Sequence, residues 1–379
     1  MTSAFRVQEN AFLDELNDLV EEYARNHRRE PTDVSHWDPS PEFVQTVRAA
    51  LPFPKTMDPI PYRYSYHLLT KSAVLRKLGL DSNEVGALFT ENGSESISSV
   101  SNALKLTGVT DVHILDPSYF TTHHNLSRLG IRVHRTTRAR LDDTLGALRN
   151  LPPTPDHAIW VTDPIYNTGV YLPEEFIDAL VVKANEGTKV VVDETLSIFP
   201  GRLAKAMGPS HQFFGIYTPH KAICVNGMKF SIVVFRKALE SSFEDWADVL
   251  SGGLGISSLA AVEHFLSDDY DQYRKAFLEA IDPVRKWHTE LVASFGHRVA
   301  LDKSSTGHFA TVYFRNISAS LGTSIDFLRS VIEHTGTFFI PGNRSGFSPD
   351  LGFCFRINLS RDSLQFRGAL QRLYRHLAN

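Results

Sequence analysis

Two lysines stand eight residues apart in the stretch Tyr217-Thr-Pro-His-Lys-Ala-Ile-Cys-Val-Asn-Gly-Met-Lys229. Lys221 occupies a polar turn between two apolar segments, and Lys229 stands at the edge of the apolar run Phe230–Phe235. A lysine amine can form a Schiff base with a carbonyl group. Most lysines are solvated surface charges, so that chemistry needs support from elsewhere in the chain. Four other stretches offer it. Glu91-Asn-Gly-Ser-Glu-Ser96 opens a helical pattern. Its glycine permits a tight turn, and free amides at a helix start suit an anion, with the hydroxyls of Ser94 and Ser96 as added donors. In Asp116-Pro-Ser-Tyr119 an aromatic follows a turn, where it could stack on a flat ring. In Asp163-Pro-Ile-Tyr-Asn-Thr-Gly169 the side chain of Asn167 could donate to a phenolic oxygen. Asp193-Glu194 closes an apolar run. A carboxylate there costs several kcal/mol in desolvation unless it is paired, and a pyridinium N–H is one such partner.

Taken singly, each stretch has a plainer and commoner explanation. Ser94 or Ser96 simply caps a helix, Tyr119 packs, Asn167 belongs to an Asn-Thr-Gly turn, and Asp193 starts a surface turn. What distinguishes them is their placement along the elements.

Residues 5–27 alternate apolar and charged positions at helical spacing, and a short helix follows from Pro41 to Leu51. The segment from Pro52 to Arg63 holds four prolines and should be extended. From residue 66 the pattern becomes regular. Helices are predicted over Leu68–Leu78, Ser96–Leu106, Tyr119–Leu129, Leu141–Leu148 and Pro173–Asn185. Strands are predicted over Val85–Thr90, Val112–Leu115, Arg132–Thr136, Ala158–Thr162, Lys189–Val192, Gly215–Thr218, Ala222–Val225 and Phe230–Phe235. Alternating strands and helices imply an α/β fold with a mostly parallel central sheet flanked by helices. Val- and Ile-rich runs without alternation fit strands buried on both faces. In such sheets ligands bind beyond the carboxyl ends of the strands, which is where all the candidate loops fall. A long helical region runs from Gly255 to about Ser294, with a boundary near residue 285. Strands near Ala310–Phe314 and Phe353–Asn358, with helices Ser324–His334 and Ser363–Leu377, make a smaller α+β domain at the C-terminus.

The chain has 379 residues, 42% hydrophobic and 22% charged, which is ordinary for a globular protein with room for a large core. A net charge of -4 argues against nucleic acid as a partner. Two cysteines, Cys224 and Cys354, cannot form a disulfide framework and fit a reducing compartment as small buried hydrophobes. No apolar run reaches the ~20 residues of a membrane span, and the N-terminus lacks the apolar core of a signal peptide. Together these point to a cytoplasmic location. Gly-x-Ser-x-Gly, Walker and His-Glu-x-x-His motifs are missing from the sequence.

In their order, the candidate loops resemble those of the fold type I PLP-dependent enzymes, specifically the class I/II aminotransferase family, over roughly residues 30–379. Gly93-Ser94-Glu95-Ser96 is similar to that family's phosphate turn. Pro117-Ser118-Tyr119 resembles the aromatic that stacks on the cofactor, and Pro164–Gly169 resembles a loop usually reading Pro-Asn-Asn-Pro-Thr-Gly. Asp193 matches the aspartate on the pyridine nitrogen, and Thr218-Pro-His-Lys221 the turn that bears the Schiff-base lysine. Phe355-Arg356-Ile357-Asn358 matches the arginine whose planar fork grips a substrate α-carboxylate. Tyr66 fits a tyrosine that reaches the phosphate of the neighbouring subunit, and Ser35–Pro39, with His36 and Trp37, falls where a loop covers the substrate. The resemblance implies pyridoxal 5'-phosphate as cofactor, an amino acid as substrate and a homodimer with shared active sites. The loop Ser251–Ser258 would then come from the neighbour. It also divides the chain into an N-terminal helix and arm (1–55) packing with the small domain, a large cofactor-binding domain (56–285) and a small C-terminal domain (286–379).

Three positions depart from the family pattern. Leu196 replaces a tyrosine that contacts the phenolic oxygen, and Lys229 replaces an arginine on the phosphate. The ungapped match to the loop asparagine is Tyr166, with Asn167 next to it as the favoured donor. The activity implied first is transamination, with Lys221 as Schiff-base residue and general base. The alternative is oxidation, hydroxylation or cyclisation of a basic amino acid such as arginine. Leu196 and Lys229 are similar to what the arginine-oxidising PLP enzymes carry, and a carboxylate for the guanidinium could come from Asp38 or Glu91. A non-catalytic relative is disfavoured because Lys221, Asp193 and Arg356 are all retained.

Overall fold

The computed structural model describes residues 8–35, 39–47, 68–136, 141–152, 154–208, 213–240, 243, 254–302 and 306–379. His36, Trp37, Asp38, Tyr66 and residues 251–253 lie outside the described residues.

After the N-terminal helix Gln8–His27 comes a two-residue strand, β1 (Thr32–Asp33). The central sheet contains β2 (Val85–Thr90), β3 (Asp111–Leu115), β4 (Arg132–Thr136), β5 (His157–Thr162), β6 (Lys189–Asp193), β7 (Phe213–Tyr217) and β8 (Ser231–Arg236). Their order is β2-β8-β7-β6-β5-β3-β4. β8 runs antiparallel to both neighbours, β2 and β7, and the remaining pairs are parallel. The mostly parallel sheet is therefore as expected.

Residue types explain the burial. β6 reads Lys-Val-Val-Val-Asp and β7 Phe-Phe-Gly-Ile-Tyr, and every residue of both is buried. Such β-branched and aromatic runs suit a strand covered on both faces. Successive side chains feed opposite cores, so Val190 and Val192 join one apolar cluster and Val191 the other. The edge strand β4, Arg-Val-His-Arg-Thr, is half-exposed and polar, which protects an unpaired edge.

The C-terminal part holds β9 (Val299–Leu301), β10 (Phe309–Phe314), β11 (Thr337–Phe338), β12 (Ile340–Pro341) and β13 (Phe353–Asn358). An antiparallel sheet of order β12-β13-β10-β9 packs with the helices Ile325–Thr335 and Leu364–Ala378. β1 pairs in parallel with β11, which fastens the N-terminal arm to this sheet system.

Two expectations change. The run Ala222–Val225 is not a strand. Thr218 and Pro219 start a one-turn helix, Pro219–Ala222, and Cys224 then takes a left-handed backbone with φ 60°. Proline is pre-organised for a first helical position, and this local start outcompetes the strand propensity of a four-residue apolar run. The long helical region is two helices, Ile256–Leu266 and Asp268–Ala293, parted at Ser267. Both cysteines are buried and unbridged. Among the described residues, no helix is long and apolar enough to cross a membrane.

Ile216 on β7 is fully buried in the sheet that carries the site. Ile216→Ala should lower stability by about 2–5 kcal/mol in equilibrium denaturation, the range for a large-to-small change in a packed core.

Candidate active site

β2, β3, β5, β6 and β7 end on one edge of the sheet, and the reversed β8 begins there. The loops after β2, β3, β5, β6 and β7, the last of which leads into β8, therefore meet over a cavity of about 420 Å³. This is the edge at which open α/β sheets bind ligands.

Lys221 reaches the cavity from the one-turn helix after β7. Its Nζ stands 5.4 Å from the centre of the Tyr119 ring. Burial pulls its pKa down to about 8; Asp193 opposes that shift and the Arg356 guanidinium adds to it. The fixed turn comes partly from His308, whose buried ring hydrogen-bonds the Ala222 carbonyl.

Asp193 ends β6 and lines the cavity. Burial raises its pKa, while hydrogen bonds from Thr195 and the charge of Lys221 oppose the rise. The adjacent Glu194 turns away, and its carboxylate accepts from the Gly201 N–H. Burial pushes that acid up to about 8.

The loop after β2 runs into the helix Gly93–Leu106. Neither Ser94 nor Ser96 caps it. Asn92 does, accepting from the Glu95 N–H at 3.1 Å, while the Glu95 carboxylate accepts from the Glu91 N–H at 2.8 Å. This reciprocal box leaves the first-turn amides of Gly93 and Ser94, both on the cavity wall, without helical acceptors. Glu95 is not a wall residue, and it shapes the turn. A Cβ at position 93 would sit 3.2 Å from Thr218 Oγ1, so glycine keeps that cradle open. Thr218 and Lys229 complete this side of the cavity.

Tyr119 and Tyr166 stand on the opposite side, with ring centres 6.0 Å apart. Tyr166, rather than Asn167, is on the wall. Asn167 adopts φ 63° and lies behind it, with its carbonyl accepting from Thr311 Oγ1 at 2.8 Å and its side chain hydrogen-bonded to the Tyr166 phenol. Burial raises the Tyr166 pKa, and Arg356 opposes that shift. Arg356 comes from β13 and is buried behind this wall. Its Nε donates to the Ser35 carbonyl at 3.1 Å, its guanidinium hydrogen-bonds Tyr166, and its Cζ lies 5.3 Å from the Phe309 ring centre.

Glu91 is not available to a guanidinium. Its carboxylate takes the Gly255 N–H and the Ser258 hydroxyl of the same chain. Among the polar wall residues, Asn92, Thr162, Thr195 and Asn226 carried no role in the sequence reading. An Asn-x-x-Glu spacing before a helical run could have found the first. Nothing in residue type pointed to the others.

The donor set suits a phosphorylated, aldehyde-bearing pyridine: free helix-start amides and a lysine at one end, a buried carboxylate in the middle, an amine beside an aromatic face. No protein-family model matches the chain, and no curated protein matches it. Solved structures do. A PLP-dependent cyclase, OrfR, is 22% identical with a TM-score of 0.70, covering 95% of this chain and 96% of its own. An aspartate aminotransferase mutant from Thermus thermophilus is 19% identical with a TM-score of 0.73, covering 96% of each. A multiple-substrate aminotransferase from Thermococcus profundus is 15% identical with a TM-score of 0.71, covering 96% of this chain and 94% of its own. The chain thus has the fold of the fold type I PLP-dependent enzymes.

With its amine neutralised near pH 8, Lys221 should react with a small aldehyde and cyanoborohydride along a pH profile centred there. A midpoint near 10.5, measured by peptide mapping of the full chain, would place the amine in water instead.

Proposed function

We propose that the chain is a PLP-dependent enzyme acting on an α-amino acid, with transamination as its reaction. The observation that carries this is the half-buried Lys221 amine, sharing one cavity at the sheet's carboxyl edge with Asp193 and the face of Tyr119. Lys221 holds the cofactor covalently through its amine. The Gly93 and Ser94 amides, the Thr218 hydroxyl and the Lys229 ammonium hold the phosphate. Asp193 keeps the ring nitrogen protonated, and Tyr119 covers the ring. Tyr166, with Asn167 behind it, donates to the phenolic oxygen in place of the tyrosine that Leu196 displaces. Bound cofactor supplies a sink for electrons released at the substrate Cα. Arg356 would bind the substrate carboxylate and orient the Cα proton toward Lys221, whose amine would take that proton as general base. By the resemblance, His36 and Trp37 contact the substrate. Tyr66 reaches the phosphate of the other subunit in a homodimer.

A second activity, oxidation, hydroxylation or cyclisation of a basic amino acid, is favoured by one observation. Leu196 lines the cavity where the family's tyrosine would contact the cofactor, so the ring's electrons are tuned differently. The 22% identical neighbour is itself a cyclase. Against it, Asp193 is the only carboxylate on the cavity wall among the described residues.

An amino-acid panel with a keto-acid acceptor, run under air and under argon, separates the two. Transamination predicts acceptor-dependent turnover that is equal in both atmospheres; oxygen consumption without acceptor selects the second activity. Arg356→Gln should raise KM for the amino acid by on the order of tenfold to hundredfold, the loss of a charge-assisted hydrogen bond. Sedimentation should show a dimer, and a monomer would remove the basis for the role of Tyr66.

A further inference from the structure

Asp193 takes two hydrogen bonds from a single neighbour. The Thr195 N–H donates to its Oδ1 at 3.0 Å, and the Thr195 hydroxyl donates to the same carboxylate. Behind Thr195 stands a file of hydroxyls. Thr218 Oγ1 donates to Thr195 Oγ1 at 3.4 Å and lies 3.1 Å from Ser231 Oγ. Ser96 Oγ donates to Ser231 Oγ at 2.7 Å and lies 2.7 Å from Thr90 Oγ1. Thr90, Ser96, Thr218 and Ser231 are all buried. The five come from five places: the end of β2, the first turn of the helix after it, the residue after β7, the start of β8 and the loop after β6.

An aspartate's terminal torsion is broad, so a carboxylate at a strand end turns unless something holds it. Two donors from one residue do that. The Thr218 hydroxyl stands between Thr195, at 3.4 Å, and Ser231, at 3.1 Å, and Ser231 is itself anchored by donating to the Tyr217 carbonyl at 2.9 Å, so the file holds Thr195 in place. The residue types matter, because valine in place of Thr195 keeps the shape and the backbone N–H but loses the hydroxyl.

We propose that Thr195 is a positioning residue that fixes the Asp193 carboxylate toward a ring nitrogen, and that Thr218, Ser231, Ser96 and Thr90 hold Thr195 in turn. This rests on the cofactor-binding role given to Asp193 above. The effect passes through the ring nitrogen alone, so it separates from a general structural role. It also links the phosphate cradle to the carboxylate that would face the ring nitrogen, since Thr218 belongs to both.

The test compares binding of pyridoxal 5'-phosphate with binding of its 1-deaza analogue, in which C–H replaces the ring nitrogen. Both are titrated into the cofactor-free full chain and followed by cofactor absorbance. Thr195→Val should weaken pyridoxal 5'-phosphate by on the order of tenfold and leave the analogue unchanged. Thr195→Ser, which keeps the hydroxyl, should match the wild type for both. Equal weakening of the two cofactors, no weakening of either, or a serine variant as weak as the valine variant would overturn the positioning role while leaving the cofactor assignment standing. A wild-type chain that binds neither cofactor covalently overturns the assignment, and this inference with it.

Discussion

Taking one amine out of water is the constraint on which the rest depends. An ammonium in a partly desolvated cavity is costly, and the chain lowers that cost in two ways. The Lys221 pKa falls, and the buried carboxylate of Asp193 offsets part of the penalty. Neither group could occupy its place alone. Asp193 would itself be forced toward its neutral acid by burial, and the lysine's charge and the Thr195 hydrogen bonds oppose that. The pair therefore works as a unit: burial lowers the amine's pKa to about 8, while the lysine's charge and the Thr195 hydrogen bonds oppose the rise that burial imposes on the carboxylate.

The sheet makes that unit possible. Parallel strands end on a common edge, so residues far apart in sequence, such as Gly93, Tyr119 and Asp193, converge over one cavity. The reversal of β8 brings Lys229 to the same edge from the opposite direction. The C-terminal sheet adds Arg356 from behind, seated against the Ser35 carbonyl and the Tyr166 phenol. Across the cavity the groups are ordered along the strand order. The anion-binding groups belong to β2, β8 and β7, Asp193 to β6, and the two tyrosines to β5 and β3.

Much of this was legible in the sequence because buried parallel strands announce themselves. Runs such as Lys-Val-Val-Val-Asp have no exposed face to encode, and the loops after them can be read directly. Three features were not legible. The lysine turn continues into the apolar residues Ala222–Val225, which look like strand, and only the local Thr-Pro start and the left-handed Cys224 reveal a turn. Asn167 carries the more suggestive side chain, yet its positive φ turns the chain so that Tyr166 faces the cavity. Thr195 has no signature of its own, because its role is a bond to a residue two positions earlier backed by hydroxyls from distant elements. Neither propensity nor periodicity records such a contact.

The central claim is that Lys221 is the residue that carries the cofactor. Incubating the full chain with pyridoxal 5'-phosphate, reducing with borohydride and mapping peptides by mass tests it directly. A single phosphopyridoxyl adduct on the peptide containing Lys221 is the result predicted here. An adduct on Lys229, a scatter over surface lysines, or no stable adduct would contradict it.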